Sequence, residues 1–566
     1  MRKSKMQKIN KLLNDIYGDD LDDSVFDAFL LKVEQGKKYI KKHRKLGWDE
    51  SDVVLITYAD QFHQCNENNL TTLREFYQRW LGDVFSHIHL LPFYPWSSDD
   101  GFSVVDYHQV APSSGSWQDI SQLNKITKLM FDFVCNHISA QSEWFQGYLS
   151  GNKKYQDFFI SVDPKTDLSA VTRPRALPLL TPFTLAEGAQ QYIWTTFSAD
   201  QIDLNFANPQ VLLAMVDVLI HYLQQGADYV RLDAVGYMWK TIGTSCIHLE
   251  KTHLLVKLFR ALVDEIAPGT VLITETNVPH NDNVAYLGNG HDEAQMVYQF
   301  PLPPLVLHAI HSGSAQVLSR WANTLSESDN PDTTWFNFLA SHDGIGLNPL
   351  RGILPEEEIL QLVDHLEQEG ALVSWKYNPD GTRSPYEINV TYMDALSQRN
   401  SNDEQRLARF ILAHAIILTF PGVPAIYVQS ILGSRNNYSG VESLGYNRAI
   451  NRQKYALEEI ETQLGDEHHL RHNTFNKLIH LIGVRKREVS FHPASSFAVN
   501  CASDSILVIQ RSSQCGNNLL ALFNLKDNEC EFFLPNNNFH ELIANQKIIG
   551  NQTYHMQPYQ VLWLSY

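Results

Sequence analysis

Apolar residues recur along this chain in short dense runs, and nearly every run ends on a polar residue that can do chemistry. Val53–Tyr58 leads to Asp60, Phe85–Pro92 leads through an aromatic turn to Asp99, and Leu129–Cys135 runs into Asn136 and His137. Gly226–Asp233 alternates like a strand and delivers Asp233 at its C-terminal end. Val271–Thr274 stops at Glu275, Met296–Gln299 is short, Trp335–Ala340 stops at Ser341-His342-Asp343, and Val423–Tyr427 follows a Pro-Gly turn. Runs of this kind, bounded by turn residues, read as strands. Between most of them the hydrophobic positions take helical spacing, as in Val211–Ile220 and Leu254–Val263. Alternating strands and helices predict an α/β protein built on a (β/α)8 barrel with insertions, in which the C-terminal ends of the strands share one mouth.

Three regions break the alternation. Residues 1–50 predict an N-terminal helical extension, with Leu12, Leu13, Ile16 and Tyr17 on one apolar face and Phe26, Phe29, Leu30 and Val33 on another. The basic stretch Lys37–Lys45 that follows reads first as a solvated helix face and second as a docking surface. Within the barrel region 51–484, residues 139–205 are too long for a plain loop and predict a lid domain inserted after the third strand. Residues 485–566 change to short β-like runs with Asn-rich turns, predicting a C-terminal antiparallel β domain.

Composition excludes some partners. The net charge of −18 argues against nucleic acid or an anionic membrane, since both reward an excess of Lys and Arg. No apolar run is long enough to span a bilayer, and residues 1–12 lack the apolar core of a secretory signal, so the expectation is a cytoplasmic protein. The six cysteines lack metal-like spacing and read as inert packing in a reducing compartment. Composition leaves a homo-oligomer open.

The acids at the strand ends need a chemistry. Asp233, Glu275 and Asp343 would converge at the barrel mouth, where like charges force at least one pKa upward, so that one group stays protonated beside an anion. Retaining cleavage of a glycosidic bond uses that division of labour. A metal site could use the same acids, but His137, Arg231, His342 and Arg448 place cationic groups around them, which favours a sugar. Alone, His137 reads as a structural histidine and Arg231 as a partner that relieves the burial of Asp233.

Asp132-Phe-Val-Cys-Asn-His137, Arg231-Leu-Asp233, Glu275 and His342-Asp343 resemble the successive sequence regions of the α-amylase superfamily. Leu91-Pro-Phe-Tyr-Pro95, Asp99-Asp-Gly-Phe102, Arg231–Tyr237, Gly243-Thr-Ser-Cys246, His342–Gly346 and Pro421-Gly-Val-Pro424 are similar to its sucrose phosphorylase branch. The resemblance spans roughly residues 50–480. It implies Asp233 as nucleophile of a covalent β-glucosyl enzyme, Glu275 as acid/base and Asp343 as the acid that holds the glucosyl hydroxyls. It further implies that Asp99, Phe102, His137, Arg231, His342 and Arg448 bind the glucose ring. Asn136 matches a calcium ligand of many amylases, but this branch uses no metal and no cofactor, and inorganic phosphate is a substrate.

A phosphorylase needs fixed cations where phosphate enters, and arginine suits oxyanions. The candidates are Arg173 and Arg175 in the lid and Arg383, Tyr386 and Glu387 in a Pro- and Gly-marked segment, Pro379–Glu387, that reads as a loop. Taken singly, these arginines also read as ordinary surface charges. Thr172 replaces an aromatic of the sucrose enzymes, and Arg383 and Glu387 replace an aliphatic residue and a glutamine, which implies an anionic leaving group. Gly381–Glu387, Trp48–Val54 and the N-terminal extension resemble the glucosylglycerate phosphorylases, whose partners are a small sugar substrate, glycerate and phosphate. Sucrose, sucrose 6-phosphate and glucosylglycerol phosphorylases are the alternatives within the branch, and a catalytically silent sugar-binding protein is the alternative outside it.

Overall fold

Eight parallel strands close into a barrel in the computed structural model of the chain, which describes residues 2–40, 44–325, 332–377, 382–398 and 401–566. They are β1 (Val54–Thr57), β2 (His87–Leu90), β3 (Lys128–Val134), β4 (Ala227–Asp233), β5 (Val271–Thr274), β6 (Met296–Tyr298), β7 (Thr334–Asn337) and β8 (Val423–Tyr427). Each pairs with its neighbours in sequence, and β8 closes on β1 with Ala425 opposite Val54. Every residue of β4 is buried, because one face fills the barrel interior and the other meets the surrounding helices. The alternation read in Gly226–Asp233 therefore separates inward from outward rather than dry from wet.

Helices α1 (Arg2–Tyr17) and α2 (Asp23–Tyr39) pack on the outer ring through α3 (Pro209–Gln224) and α4 (Glu250–Ile266). The helix start at α3 follows from local chemistry: Asn208 caps the Gln210 N–H and Pro209 takes the first turn. Leu12, Leu13, Ile16, Phe29 and Val33 join the barrel core, and the Tyr17 hydroxyl donates to the Phe206 carbonyl at 2.9 Å. The basic stretch expected to be solvated also docks. Lys37 pairs with Glu265 at 2.5 Å, and Arg44 donates to the Leu223 and Ala227 carbonyls that end α3 and begin β4. Lys41, Lys42 and His43 of that stretch lie outside the described residues.

Between β3 and α3 the chain makes the helix Glu143–Leu149, the hairpin Leu180–Thr184 with Gln190–Trp194, and a pairing of His137–Ser139 with Gln201–Asp203. After β7 comes a small sheet in which Arg383–Asn389 pairs with both Leu372–Tyr377 and Ile345–Gly346. The reading of Pro379–Glu387 as a loop is thus corrected from Arg383 onward, while residues 379–381 lie outside the described residues. Pro385 fits within that strand because Ile345–Gly346 pairs only with Ile388 and Glu387, leaving Pro385 an edge position on that side.

The C-terminal sheet runs in the order 496–503, 506–512, 518–524, 561–565, 538–541, 546–549. Its strands alternate between two apolar layers. Leu507, Ile509, Leu519, Ala521, Phe523 and Trp563 join the barrel core, while Ile506, Val508, Leu520, Leu522, Leu562 and Leu564 form a second core on the other face. Of the cysteines, Cys135 and Cys246 are buried, but Cys65, Cys501 and Cys515 are exposed, which corrects their reading as packing residues. Among the described residues no helix is long and apolar enough to cross a membrane.

Candidate active site

At the C-terminal ends of the barrel strands lies a cavity of about 340 Å³. Its floor is organised by one guanidinium. Arg231 on β4 contacts Asp132 of β3, meets Asp233 at 2.6 Å and reaches Glu275, just past β5, at 3.7 Å. Parallel register sets Arg231 beside Ile273 and Asp132, so the barrel itself places the cation between the acids. His89 holds the other side of Asp132 at 2.7 Å. Ala234, directly after Asp233, has left-handed backbone with φ 49°, a strained conformation for a residue with a side chain. That turn aims its N–H at Glu275, 3.1 Å away.

Burial pushes Asp233 and Glu275 upward against the pull of Arg231, and the neighbouring carboxylates add to the rise. Two buried acids this close share a proton. Of the two, Asp233 has the shorter contact with Arg231, 2.6 Å against 3.7 Å for Glu275, so the guanidinium favours the anion on Asp233 more than on Glu275. Asp343 behaves oppositely: although burial opposes its charge, His342, Arg448 and Arg231 hold it well below the usual carboxylate range.

The groups around this floor are tied to each other. Arg448 meets Asp343 at 2.6 Å and grips Glu387 with two hydrogen bonds of 3.1 and 2.7 Å. Glu387 therefore orients an arginine that touches the acid triad. The ring of Phe102 stacks on His342 with centroids 4.5 Å apart and planes 6° off parallel. Burial drives His342 down to about 3 and His137 to about 4, so both are neutral near pH 7, and His137 Nε2 donates to the Phe102 carbonyl at 3.0 Å. Asp99 and Asp100 both take left-handed backbone, φ 53° and 47°, in a turn that Gly101 completes, where a Cβ would lie 2.5 Å from the Pro92 carbonyl. Burial works against the charge of Asp99, but Arg175 at 3.7 Å and Arg452 at 3.5 Å outweigh it and lower its pKa.

All the candidate residues named from sequence line this cavity except Arg383. Arg383 is exposed and lies over the ring of Trp375 at 4.4 Å, outside the residues that line the cavity. Other lining residues had escaped notice. Gln201 donates toward Asp99 and the Phe102 carbonyl, and Asn277, Asn348, Arg351 and Lys376 complete the wall. Arg452, buried behind the cavity, pairs with Asp100 at 2.7 Å and donates to the His342 carbonyl at 2.8 Å. Its spacing of one helical turn from Arg448 was the available signal.

Residues 58–347 match the model of the alpha amylase catalytic domain. The chain is 61% identical to the glucosylglycerate phosphorylase of Escherichia coli (strain K12), covering 99% of this chain and 100% of that one. It is 41% identical to the glucosylglycerate phosphorylase of Spirochaeta thermophila over 99% of this chain and 98% of that protein. This chain belongs to the glucosylglycerate phosphorylase branch of the α-amylase family. Among solved structures, sucrose 6F-phosphate phosphorylase from Thermoanaerobacter thermosaccharolyticum superposes with a TM-score of 0.73 at 28% identity, covering 84% of this chain and 94% of that one.

One position bears on the metal question of the α-amylase family. The side-chain oxygen of Asn136 accepts from Lys240 Nζ at 2.8 Å, and the same ammonium pairs with Asp203 at 2.6 Å. The Asn136 amide nitrogen in turn donates to Asp203 at 3.1 Å. Both ends of this asparagine are thus engaged by protein groups. Among the described residues no group of three or more His, Cys, Asp or Glu is arranged to hold a metal ion.

Proposed function

We propose that this protein is a retaining glucoside phosphorylase that converts 2-O-α-glucosyl-glycerate and phosphate, reversibly, into α-glucose 1-phosphate and glycerate. The observation that carries the chemistry is the asymmetric hold of Arg231 on two buried acids, 2.6 Å to Asp233 and 3.7 Å to Glu275. Asp233, as the anion paired with Arg231, attacks the anomeric carbon while Glu275 gives its proton to the departing glycerate oxygen. The glucosyl ester on Asp233 is then attacked by a phosphate oxygen, whose proton returns to Glu275 as the bond to Asp233 breaks. Two inversions at one carbon leave an α-product.

Asp343 and Arg448 hold ring hydroxyls, with Asp99, His137 and His342 beside them. The flat stack of Phe102 on His342 offers the sugar an apolar face. Nucleophilic and acid/base steps complete the reaction, which therefore needs no cofactor. Its phosphate chemistry accords with a cytoplasmic location. The leaving group is supported by the 61% identical relative, which carries that activity in its name over the full length. Product analysis by ³¹P and ¹H NMR tests the reading: α-glucose 1-phosphate and glycerate should appear together, and β-glucose 1-phosphate, or chiefly free glucose at saturating phosphate, would overturn it.

A further inference from the structure

Which group reads the acid of the leaving molecule is a question of which way a strand faces. In the small sheet after β7, Lys376 lies opposite Ser384, while Arg383 lies opposite Tyr377 and Pro385 opposite Trp375. Cross-strand partners share a face, so Arg383 joins the Trp375 side and Lys376 the other. Lys376 lines the cavity and Arg383 does not. The register then shifts between Ser374 and Trp375, so that Ser374 pairs with Glu387 and Tyr386 becomes the extra residue. Such a bulge re-aims side chains, and here it lets two successive residues, Tyr386 and Glu387, both face the cavity.

We infer that Lys376, with Arg351 beside it, binds the carboxylate of the small acid that leaves glucose and returns to it. This rests on the phosphorylase reading above. Lys376 is half-buried on the cavity wall, Arg351 is exposed at its rim, and among the described residues neither makes an ion pair within 4.0 Å. Arg175, by contrast, is engaged by Asp99 and by the Phe197 ring. Burial and the nearby Arg351 both work against the ammonium, with Glu356 acting only across space. Two like charges brought together at a cavity wall are costly until an anion sits between them.

The shared ligand chemistry is a small oxyanion, and geometry favours the acid over phosphate. In the acid, the carboxylate is fixed through one carbon to the reacting oxygen, so a cation anchored in a sheet can set that oxygen against Glu275. The role is one of specificity: glycerol carries similar hydroxyls without the charge.

The test compares the intact enzyme with Lys376→Met and Lys376→Arg, using α-glucose 1-phosphate as donor and D-glycerate or glycerol as acceptor, together with phosphorolysis at varied phosphate. Loss of one charge-assisted contact should raise the glycerate KM of Lys376→Met roughly ten- to a hundredfold, with glycerol use changed less than about twofold and partial recovery in Lys376→Arg. An unchanged thermal midpoint excludes misfolding as the cause. Equal effects on glycerate and glycerol, no effect on either, or a rise in phosphate KM as large as that for glycerate would each overturn the assignment. If the unaltered enzyme makes no glucosylglycerate at all, the phosphorylase reading itself fails, and this inference with it.

Discussion

The floor of the cavity and its rim handle charge in opposite ways. On the floor every ionised group is held by another: Arg231 by Asp132, Asp233 and Glu275, Arg448 by Asp343 and Glu387, and Arg452 by Asp99 and Asp100. At the rim, Lys376 and Arg351 stand without an ion pair among the described residues. A paired, buried network fixes geometry before the substrate arrives, which is what a transition state needs. Unpaired cations are instead a recognition surface for anions that enter and leave on every turnover. The comparison predicts that floor substitutions act without regard to ligand charge, whereas rim substitutions select by it.

The harshest test of the floor is Asp233→Asn, which keeps volume but removes the nucleophile. Turnover should fall by at least about 10⁴-fold with every donor, with little change in thermal midpoint. Near-normal rates in that variant would end the covalent mechanism. Glu275→Gln should split donors by leaving group: glucosylglycerate, whose oxygen needs the proton, should fail, while α-glucosyl fluoride should still glucosylate Asp233. Because the folded environment raises the Glu275 pKa, the acid form persists to higher pH than an ordinary glutamate allows. Phosphorolysis by the unaltered enzyme should therefore extend to higher pH than a glutamate of ordinary pKa would permit, and decline as pH climbs through that raised value. With Glu275→Gln and the fluoride donor, the alkaline decline should vanish from the glucosylation step.

A milder cut tests whether the pairing itself matters. Glu387 holds Arg448 with two hydrogen bonds, so Glu387→Gln should loosen that arginine while leaving Asp233 and Glu275 in place. Losing a buried charge-assisted contact costs about 1.5–3 kcal/mol, or roughly ten- to a hundredfold in kcat/KM. The loss should be the same with glucosylglycerate and with α-glucosyl fluoride. A loss confined to glycerate would move Glu387 from the floor to the rim.

Most of the floor was readable because barrel strands end on their functional residues. Asp233, Glu275 and His342-Asp343 stand where an apolar run stops, and the run marks the strand end. Arg452 and Gln201 were not readable that way, since one lies after a helical segment beyond β8 and the other in the insertion after β3. The N-terminal helices were visible from their apolar faces, but docking through Arg44 was not, because its partners are backbone carbonyls that no side-chain pattern encodes. The rim was less legible, for a local reason. Turn residues around Gly381 masked a strand, and without the strand's register nothing decided which cation faces inward.

The smallest expected effect follows from that register. Arg383 spends its charge on the face of Trp375, outside the cavity, so Arg383→Ala should leave glycerate and glycerol kinetics within about twofold of the unaltered enzyme. Its cost should appear in stability instead, at about 0.5–1 kcal/mol for an exposed cation over an aromatic ring. Lys376→Met, one strand away, should do the reverse, raising glycerate KM with stability nearly unmoved. Measuring both variants with both acceptors therefore reads the alternation of the sheet through kinetics. A selective loss of glycerate in Arg383→Ala would mean that the two faces are exchanged when substrate is bound.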